Sequence, residues 1–215
     1  MPNIKEKKVR LTDRDFDVVR WVAEQGAVRL DTIRQLLDLW KCSVEGRGLR
    51  RLAQRWEDAG LLHRARLLAN APSILWPTVE SMRLATLPLN RGEKAPAPSL
   101  SLIQHTVAVA RVRLEYEKNG ASWICERRLR ESTQGHLCDG VAVYQEGRIQ
   151  VEVDRSRKEK TRSVLIMASN ARASQGWVDY WTTPELRPFL QDQRDRLDET
   201  LKACVRIFLI PEEVR

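Results

Sequence analysis

Apolar residues recur at helical spacing in three short segments near the start of the chain. The first segment opens with Thr12, carries Asp15 three positions later as in a capping box, and should end by Gly26. The second runs over Leu30–Leu39. Ser43 is the expected N-terminal cap of the third. The pattern therefore predicts three consecutive short helices.

The segment at residues 47–59 separates apolar and basic residues onto opposite sides of a helix. At about 100° per residue, one side carries Leu49, Leu52, Ala53 and Trp56. The opposite side carries Arg47, Arg50, Arg51, Gln54 and Arg55. One side can therefore pack on neighbouring helices, while the other presents guanidinium groups, which suit phosphate oxygens and guanine edges. Gly60 follows, where a helix stop is expected.

A short basic hairpin is predicted directly after the third helix. Residues 61–68 and 74–77 would form its two arms around a tip at residues 69–73, which is rich in turn-forming residues. The first arm carries Arg64 and Arg66. Three helices followed by a hairpin, with one more helix at residues 79–86, have the order of a winged helix-turn-helix.

Several side chains of this predicted domain, residues 1–87, are candidates for contact with DNA. Those expected to enter the major groove are Arg47, Arg50, Arg51 and Gln54. Those expected to hold phosphates are Arg55, Arg64 and Arg66. A basic arm at residues 5–10 would follow a neighbouring groove. The alternative for the arginine-rich side of the third helix is a solvated surface without a ligand.

Proline and glycine without periodicity mark residues 88–99 as a linker, and a different pattern follows it. Over residues 100–215, helical and strand-like segments interleave as α-β-β-β-α-β-α-β. The predicted helices cover residues 102–117, 158–171 and 184–201, and the predicted strands cover residues 122–128, 137–144, 148–154, 177–182 and 204–210. The expected fold class is therefore α+β, with a second domain of the α/β type.

Composition and charge narrow the class of partner. The 215 residues are 42% hydrophobic and 31% charged, as in globular proteins. The formal net charge of +8, carried more by arginine than by lysine, favours a polyanionic partner. No apolar run approaches the roughly 20 residues that span a bilayer, and the start has no signal segment, so a cytoplasmic location without membrane contact is expected. The 4 cysteines form no CxxC pair and are expected to be reduced thiols.

Three carboxylates in the second domain are candidates for metal binding and catalysis. Glu152 and Asp154 alternate with apolar residues along one predicted strand, so that they share a face. If Glu146-Gly147 is a two-residue turn, Asp139 lies opposite Asp154 and diagonal to Glu152. The carboxylates would then converge within reach of one Mg2+ ion, whereas a three-residue turn would place Asp139 on the wrong face.

This arrangement resembles the metal-binding core of restriction-endonuclease-like domains, in which an Asp is followed on the next strand by an acidic-x-Lys motif. The matching tripeptide here, Glu152-Val153-Asp154, lacks the lysine that would orient water and offset developing phosphate charge. Lys158 or Lys160, just downstream, is the candidate replacement, and Cys138 stands where the family has a proline. Two alternatives remain: a Mg2+-dependent nuclease using these carboxylates and Lys158, or a nuclease-like fold that is kept for packing and dimerisation, which the missing lysine favours.

A set of short motifs follows one order through both halves of the chain. These motifs are Leu11-Thr12-Asp13-Arg14-Asp15, Leu49-Arg50-Arg51-Leu52, Asp58-Ala59-Gly60-Leu61-Leu62, His105-Thr106-Val107-Ala108-Val109, Trp123 with Glu126-Arg127, Asp139, and Val151-Glu152-Val153-Asp154-Arg155-Ser156-Arg157-Lys158. Their order and spacing resemble the replication-relaxation family of plasmid and mobile-element proteins. The resemblance implies a winged-helix DNA-binding domain and a nuclease-like second domain, with a role in plasmid replication, DNA relaxation or transcriptional control.

The sequence thus predicts a sequence-selective binder of double-stranded DNA, which forms a homodimer through its second domain. Its expected role is that of a transcriptional regulator or replication accessory factor of a mobile genetic element. One alternative is a metal-dependent DNA nuclease or nicking enzyme, and another is a scaffold that recruits a replication or mobilisation protein. No cofactor is expected, apart from Mg2+ if the nuclease-like site is active.

Overall fold

The computed structural model describes residues 9–67, 72–89, 99–130, 137–157, 159–174 and 176–211. The chain forms two compact units, Met1–Pro98 and Ser99–Arg215, and each is described by itself. Helices and two sheets make the structure a mixed α+β protein, as the pattern predicted. Most of the expected basic arm, most of the hairpin tip, most of the linker and Lys158 lie outside the described residues.

The first unit contains four helices and a small antiparallel sheet within its described residues. Its elements are α1 (Asp13–Gln25), β1 (Val28–Arg29), α2 (Leu30–Leu39), α3 (Gly46–Asp58), β2 (Leu62–Ala65), β3 (Ile74–Pro77) and α4 (Val79–Leu84). The sheet order is β1-β3-β2, so the predicted hairpin is extended by a two-residue strand. Val28 lies opposite Leu75, and both are fully buried.

The helices of this unit pack their apolar sides into one core. Its fully buried residues include Val18, Val19, Val22, Ile33, Leu36, Leu37, Ala53, Trp56 and Leu75. The predicted start of the third helix was wrong, because α3 begins at Gly46 rather than after Ser43. Glu45, with φ −117° and ψ 162°, is still extended and is the N-terminal cap. Gly46 has a φ of +52°, outside the right-handed helical region, so a regular helix cannot run through it from Ser43.

The second unit is a five-stranded sheet with helices on both faces. Its elements are α5 (Leu100–Lys118), β4 (Ser122–Cys125), α6 (Glu126–Leu129), β5 (Gly140–Val143), β6 (Arg148–Asp154), α7 (Lys160–Ala173), β7 (Trp177–Thr182), α8 (Arg187–Asp195), α9 (Glu199–Ala203) and β8 (Val205–Leu209). The strands lie in the order β4-β5-β6-β7-β8. The pairs β4–β5 and β5–β6 are antiparallel, whereas β6–β7 and β7–β8 are parallel.

Alternation along β7 shows which helix covers which face of this sheet. Tyr180 is buried with Met167 of α7 and Leu190 of α8. Its neighbour Asp179 points to the other face, where its carboxylate accepts a hydrogen bond from the hydroxyl of Tyr116 of α5. Therefore α7 and α8 cover one face and α5 covers the other.

Two predicted elements of this unit were wrong in their bounds. The structure has two shorter elements in place of each. The strand predicted at residues 122–128 ends at Cys125, where α6 begins. The helix predicted at residues 184–201 is divided into α8 and α9. Asp198 interrupts it, because its side chain accepts a hydrogen bond from the amide of Leu201 at 3.0 Å and so caps a new helix.

The start of β5 depends on a glycine. A Cβ atom at Gly140 would lie 2.0 Å from the indole ring of Trp123, which is far inside contact distance. The ring can therefore lie across the strand only because residue 140 has no side chain. Asp139 is the residue directly before this glycine and before β5.

Within the described residues, no helix combines the length and the apolar character that crossing a membrane requires.

Candidate nucleic-acid interface and carboxylate cleft

The apolar side of α3 is buried, as its spacing predicted. Leu49, Leu52, Ala53 and Trp56 are each less than 9% exposed. The indole nitrogen of Trp56 donates a hydrogen bond of 2.8 Å to the carboxylate of Asp15, at the start of α1. This side therefore anchors α3 to the core and turns the opposite side outward.

Asp15 is a fully buried carboxylate with four hydrogen-bond donors. Besides Trp56, these donors are the amide of Thr12 at 2.8 Å, the hydroxyl of Thr12 at 2.7 Å and the guanidinium of Arg55 at 2.5 Å. Burial raises the pKa of this carboxyl, but the hydrogen bonds from Thr12, Trp56 and Arg55 together outweigh burial and lower the pKa. Asp15 is thus charged and fully partnered.

This ion pair changes the assignment of Arg55. The residue lies at the border between the two sides of α3, and its guanidinium turns inward to Asp15, which is 40 residues away in the sequence. This contact holds α3 against α1, and a phosphate contact from Arg55 stays a prediction.

Arg64 of β2 is also engaged within the first unit. One of its terminal nitrogens donates to the side-chain oxygen of Gln54 and lies 3.0 Å from a carboxylate oxygen of Glu57. Its other terminal nitrogen lies 3.5 Å from the backbone oxygen of Arg50. The side-chain amide of Gln54 in turn donates to Asp58 at 2.8 Å. Arg64 and Gln54 therefore join the hairpin to α3.

Three arginines remain on the outer side of α3. Arg47, Arg50 and Arg51 are exposed, and none of their guanidiniums has a hydrogen-bond or ion-pair partner among the described residues. Arg66, just after β2, is likewise exposed and unpaired within the described part of the chain. We call Arg47, Arg50 and Arg51 the arginine face. Exposed guanidiniums of this kind can bind a polyanion.

The second unit has a cleft of about 430 Å³ at the carboxyl end of β6. His105 of α5, Asp139, Glu152 and Asp154 are among the residues that line it. The carboxyl ends of parallel strands are a common place for ligands in α/β sheets. Arg155 lies at the rim of this cleft, where its guanidinium donates to the side chain of Gln104 of α5 at 3.1 Å.

Both carboxylate oxygens of Asp139 are engaged in this cleft. One accepts a hydrogen bond of 2.7 Å from the amide of Val153, and so occupies a position on β6 that β5 leaves unpaired. The other lies 2.8 Å from the Nε2 atom of His105. The hydrogen bond with Asp139 raises the pKa of His105, against an opposing effect of burial, and the charges of Asp154 and Glu152 raise it further.

Glu152 lies on the face of the sheet that α7 covers. The side-chain amide of Asn170 donates a hydrogen bond of 3.0 Å to its carboxylate and lies equally close to the hydroxyl of Tyr180. Burial raises the pKa of Tyr180 well above its ordinary value, and the charge of Glu152 adds to the effect. These contacts hold the Glu152 side chain against α7.

The strand register differs from the predicted one. The tip of the turn is Gln145-Glu146 rather than Glu146-Gly147, because the amide of Tyr144 bonds to the carbonyl of Gly147 at 2.9 Å. Since Gly140 pairs with Val151, Asp139 lies opposite Glu152 and not opposite Asp154. A shift of two residues would by itself keep Asp139 on the face of Glu152, but Asp139 lies before β5 and its carboxylate reaches His105 of α5, whereas Glu152 contacts α7 on the other face.

Among the described residues, no group of three His, Cys, Asp or Glu side chains is arranged to hold a metal ion. Mg2+ binding by Asp139, Glu152 and Asp154 stays a prediction. Asp154 is buried where a nuclease would have its lysine. Lys160, the second candidate replacement, is exposed at the start of α7.

Several residues of these two sites were not predicted from the sequence. They are Asp15 as the partner of Arg55, His105 as the partner of Asp139, and Asn170 as the partner of Glu152. The capping box identified Asp15 as a local ligand of Thr12, but no local pattern connects the other pairs.

A scan of protein-family models, a search of curated proteins and a search of solved structures found no match to this chain.

Proposed function

We propose that this protein binds double-stranded DNA in a sequence-selective manner through the arginine face of α3. The observation that carries the proposal is the division of one helix into two sides. One side is anchored by Trp56, and the other presents three exposed guanidiniums without partners in the described residues. Guanidinium groups in this setting bind phosphate oxygens and guanine edges.

The arrangement of the first unit supports this proposal. Helices α1, α2 and α3 are followed by the antiparallel strands β2 and β3, which is the order of a winged helix-turn-helix. In such a domain α3 is the recognition helix and the hairpin is the wing. Arg66 lies just after β2, where a wing contacts the phosphate backbone.

Charge and resemblance support a cellular role. A net charge of +8 favours DNA over a neutral partner. The resemblance to the replication-relaxation family supports a cytoplasmic regulator or replication accessory factor of a mobile genetic element. We propose that it acts as a homodimer and that its second unit sets the spacing of two half-sites.

For the second unit we propose a nuclease-like fold that does not cleave DNA. Asp139 directly precedes β5, and Glu152 and Asp154 follow on the adjacent strand β6, as in the restriction-endonuclease-like pattern. However, both oxygens of Asp139 are engaged, by His105 and by the amide of Val153. The lysine of the pattern is replaced by Asp154, which adds negative charge where cleavage needs a cation.

Titration of the full chain into fluorescein-labelled duplex DNA tests the DNA-binding proposal. We expect a rise in anisotropy that weakens steeply with salt, because neutralised phosphates release counterions. Three or more phosphate contacts correspond to a slope of log K against log salt of at least about 2.7 in magnitude. The unlabelled duplex is the control for competition. No binding at low salt would contradict the proposal.

Incubation with supercoiled plasmid and Mg2+ tests the second unit. We expect the plasmid to stay supercoiled, because the site lacks the lysine of the nuclease pattern. Glu152→Ala and, as a matched control, Glu146→Ala at the exposed turn are assayed beside the unsubstituted chain. Nicking that disappears in Glu152→Ala but persists in Glu146→Ala would overturn this assignment and make the second unit a nuclease.

A further inference from the structure

Both polar atoms of the Gln54 side-chain amide have hydrogen-bond partners within the first unit. Its nitrogen donates to the carboxylate of Asp58 at 2.8 Å, and its oxygen accepts from the guanidinium of Arg64. Both partners belong to the same unit, and Gln54 itself is exposed on α3. The amide is thus held in one orientation before any ligand arrives.

These two hydrogen bonds affect which base α3 can recognise. A glutamine recognises adenine by offering its N–H and its oxygen together to the N7 and N6 edge of that base. In Gln54, each of these groups already has a protein partner. Adenine recognition would therefore have to use the remaining N–H and lone pair in the orientation that Asp58 and Arg64 fix, or else break these hydrogen bonds, one of which involves the charged Arg64.

The guanidiniums of the arginine face differ from Gln54 in this respect. The guanidiniums of Arg47, Arg50 and Arg51 are exposed and unpaired within the described residues. An arginine binds guanine by a bidentate contact to O6 and N7, which is the commonest specific contact in the major groove. The free hydrogen-bonding capacity of α3 thus matches guanine.

The contacts of Arg64 indicate a structural role for Gln54. From β2, its guanidinium meets the backbone of Arg50, the side chain of Gln54 and the carboxylate of Glu57. These three positions are four and three residues apart, so they form one ridge along α3. The contact fastens the first strand of the hairpin along the recognition helix.

We propose that α3 recognises guanine through the arginine face, and that Gln54 is a positioning residue that holds β2 and its Arg64 against α3. This inference rests on the proposed binding of double-stranded DNA. Guanine is then the base that is recognised, and Gln54 does not contact bases in the major groove.

Selection of binding sites from randomised duplexes tests this inference with the full chain and its variants. The unsubstituted chain is expected to enrich sites with guanines. Arg50→Ala and Arg51→Ala are each expected to lose the preference for a guanine by about 5- to 150-fold, the equivalent of one bidentate contact. Arg83→Ala, an exposed arginine of α4 outside the arginine face, is the matched control and should keep every preference.

Gln54→Met separates a positioning role from base recognition, because methionine keeps the length of the side chain and removes its amide. We expect it to weaken binding to all selected sequences by a similar factor while the base preferences stay unchanged. Hydrogen exchange of the amides of β2 should accelerate in Gln54→Met, and more strongly in Arg64→Ala, which also loses the contacts with Glu57 and with the backbone of Arg50. Both substituted side chains lie outside the apolar core, so the variants test the contact rather than folding.

The possible results separate this inference from the proposal on which it rests. A selected site with an adenine preference that disappears in Gln54→Met would overturn the inference and leave DNA binding intact. Selected sites without guanine would do the same. No enrichment of any duplex by the unsubstituted chain would overturn both.

Discussion

Replacing Arg50 and Arg51 together with alanine is expected to weaken the binding of duplex DNA by at least about 30-fold. Each guanidinium is exposed and unpaired within the described residues, so each is free to contact a base or a phosphate. A contact of this kind is worth about 1–3 kcal/mol, and two of them therefore contribute at least about 2 kcal/mol. The measurement is an anisotropy titration of the full chain.

The double variant should fold normally, because both side chains are exposed and alanine is the best helix former. Arg83→Ala is the matched control for the loss of positive charge. It is exposed and pairs with Glu80 only at the surface, at 3.4 Å, so its loss should change the affinity much less than the double substitution does. Equal affinities of the double variant and the unsubstituted chain would show that the arginine face is not the DNA interface.

The two sides of α3 could be predicted because the helical period alone assigns them. Leu49 and Trp56 are buried and Arg47 and Arg51 are exposed, as the spacing requires. The partner of Arg55 could not be predicted in this way, since Asp15 is 40 residues away and only the packing of α1 on α3 brings the two together.

The strands β6 and β7 were also predicted with the bounds that the structure shows. Alternation of apolar and polar residues over six or seven positions is a strong signal. Trp177, at the start of β7, is nevertheless 45% exposed although tryptophan favours burial. The guanidinium of Arg206 lies 4.8 Å from the centre of the Trp177 ring, so the exposed ring has a cation as a partner.

The candidate site of the second unit shows where sequence reasoning ends. The alternation along β6 placed Glu152 and Asp154 on one face, but the register of Asp139 depended on the turn, and the turn lies one residue earlier than predicted. The contact between His105 and Asp139 joins residues 34 positions apart. Such pairs follow from the tertiary fold, which periodicity does not encode.

Loss of the Asp15 carboxylate is expected to lower the stability of the first unit. Asp15→Ala is expected to lower the free energy of unfolding of the first unit by about 3–5 kcal/mol. The substitution leaves the buried indole nitrogen of Trp56 and the guanidinium of Arg55 without their acceptor, and it removes the capping box at Thr12. Since α3 is anchored through these contacts, the arginine face would lose its support.

Hydrogen exchange of the full chain can measure this loss, because peptides from α1 and α3 report on the first unit alone and those from β6 and β7 serve as an internal reference. Asp17→Ala is the matched control. Asp17 is exposed on the same helix and forms only a surface pair with Arg20 at 3.2 Å, so a change below about 1 kcal/mol is expected. Equal exchange in the two variants would show that the buried network adds little to stability.

The pH dependence of the same quantity follows from the lowered pKa of Asp15. The carboxyl titrates below its ordinary value of 3.8 in the folded chain, so the unfolded chain takes up its proton first as the pH falls. The stabilisation is therefore fully present above that ordinary pKa and is lost as the pH falls through the folded pKa. In Asp15→Ala this part of the acid sensitivity should disappear, and the stability difference between the two proteins should shrink toward low pH. A difference that stays constant down to the acid transition would mean that the charge of Asp15 does not contribute, and that the substitution acts through packing alone.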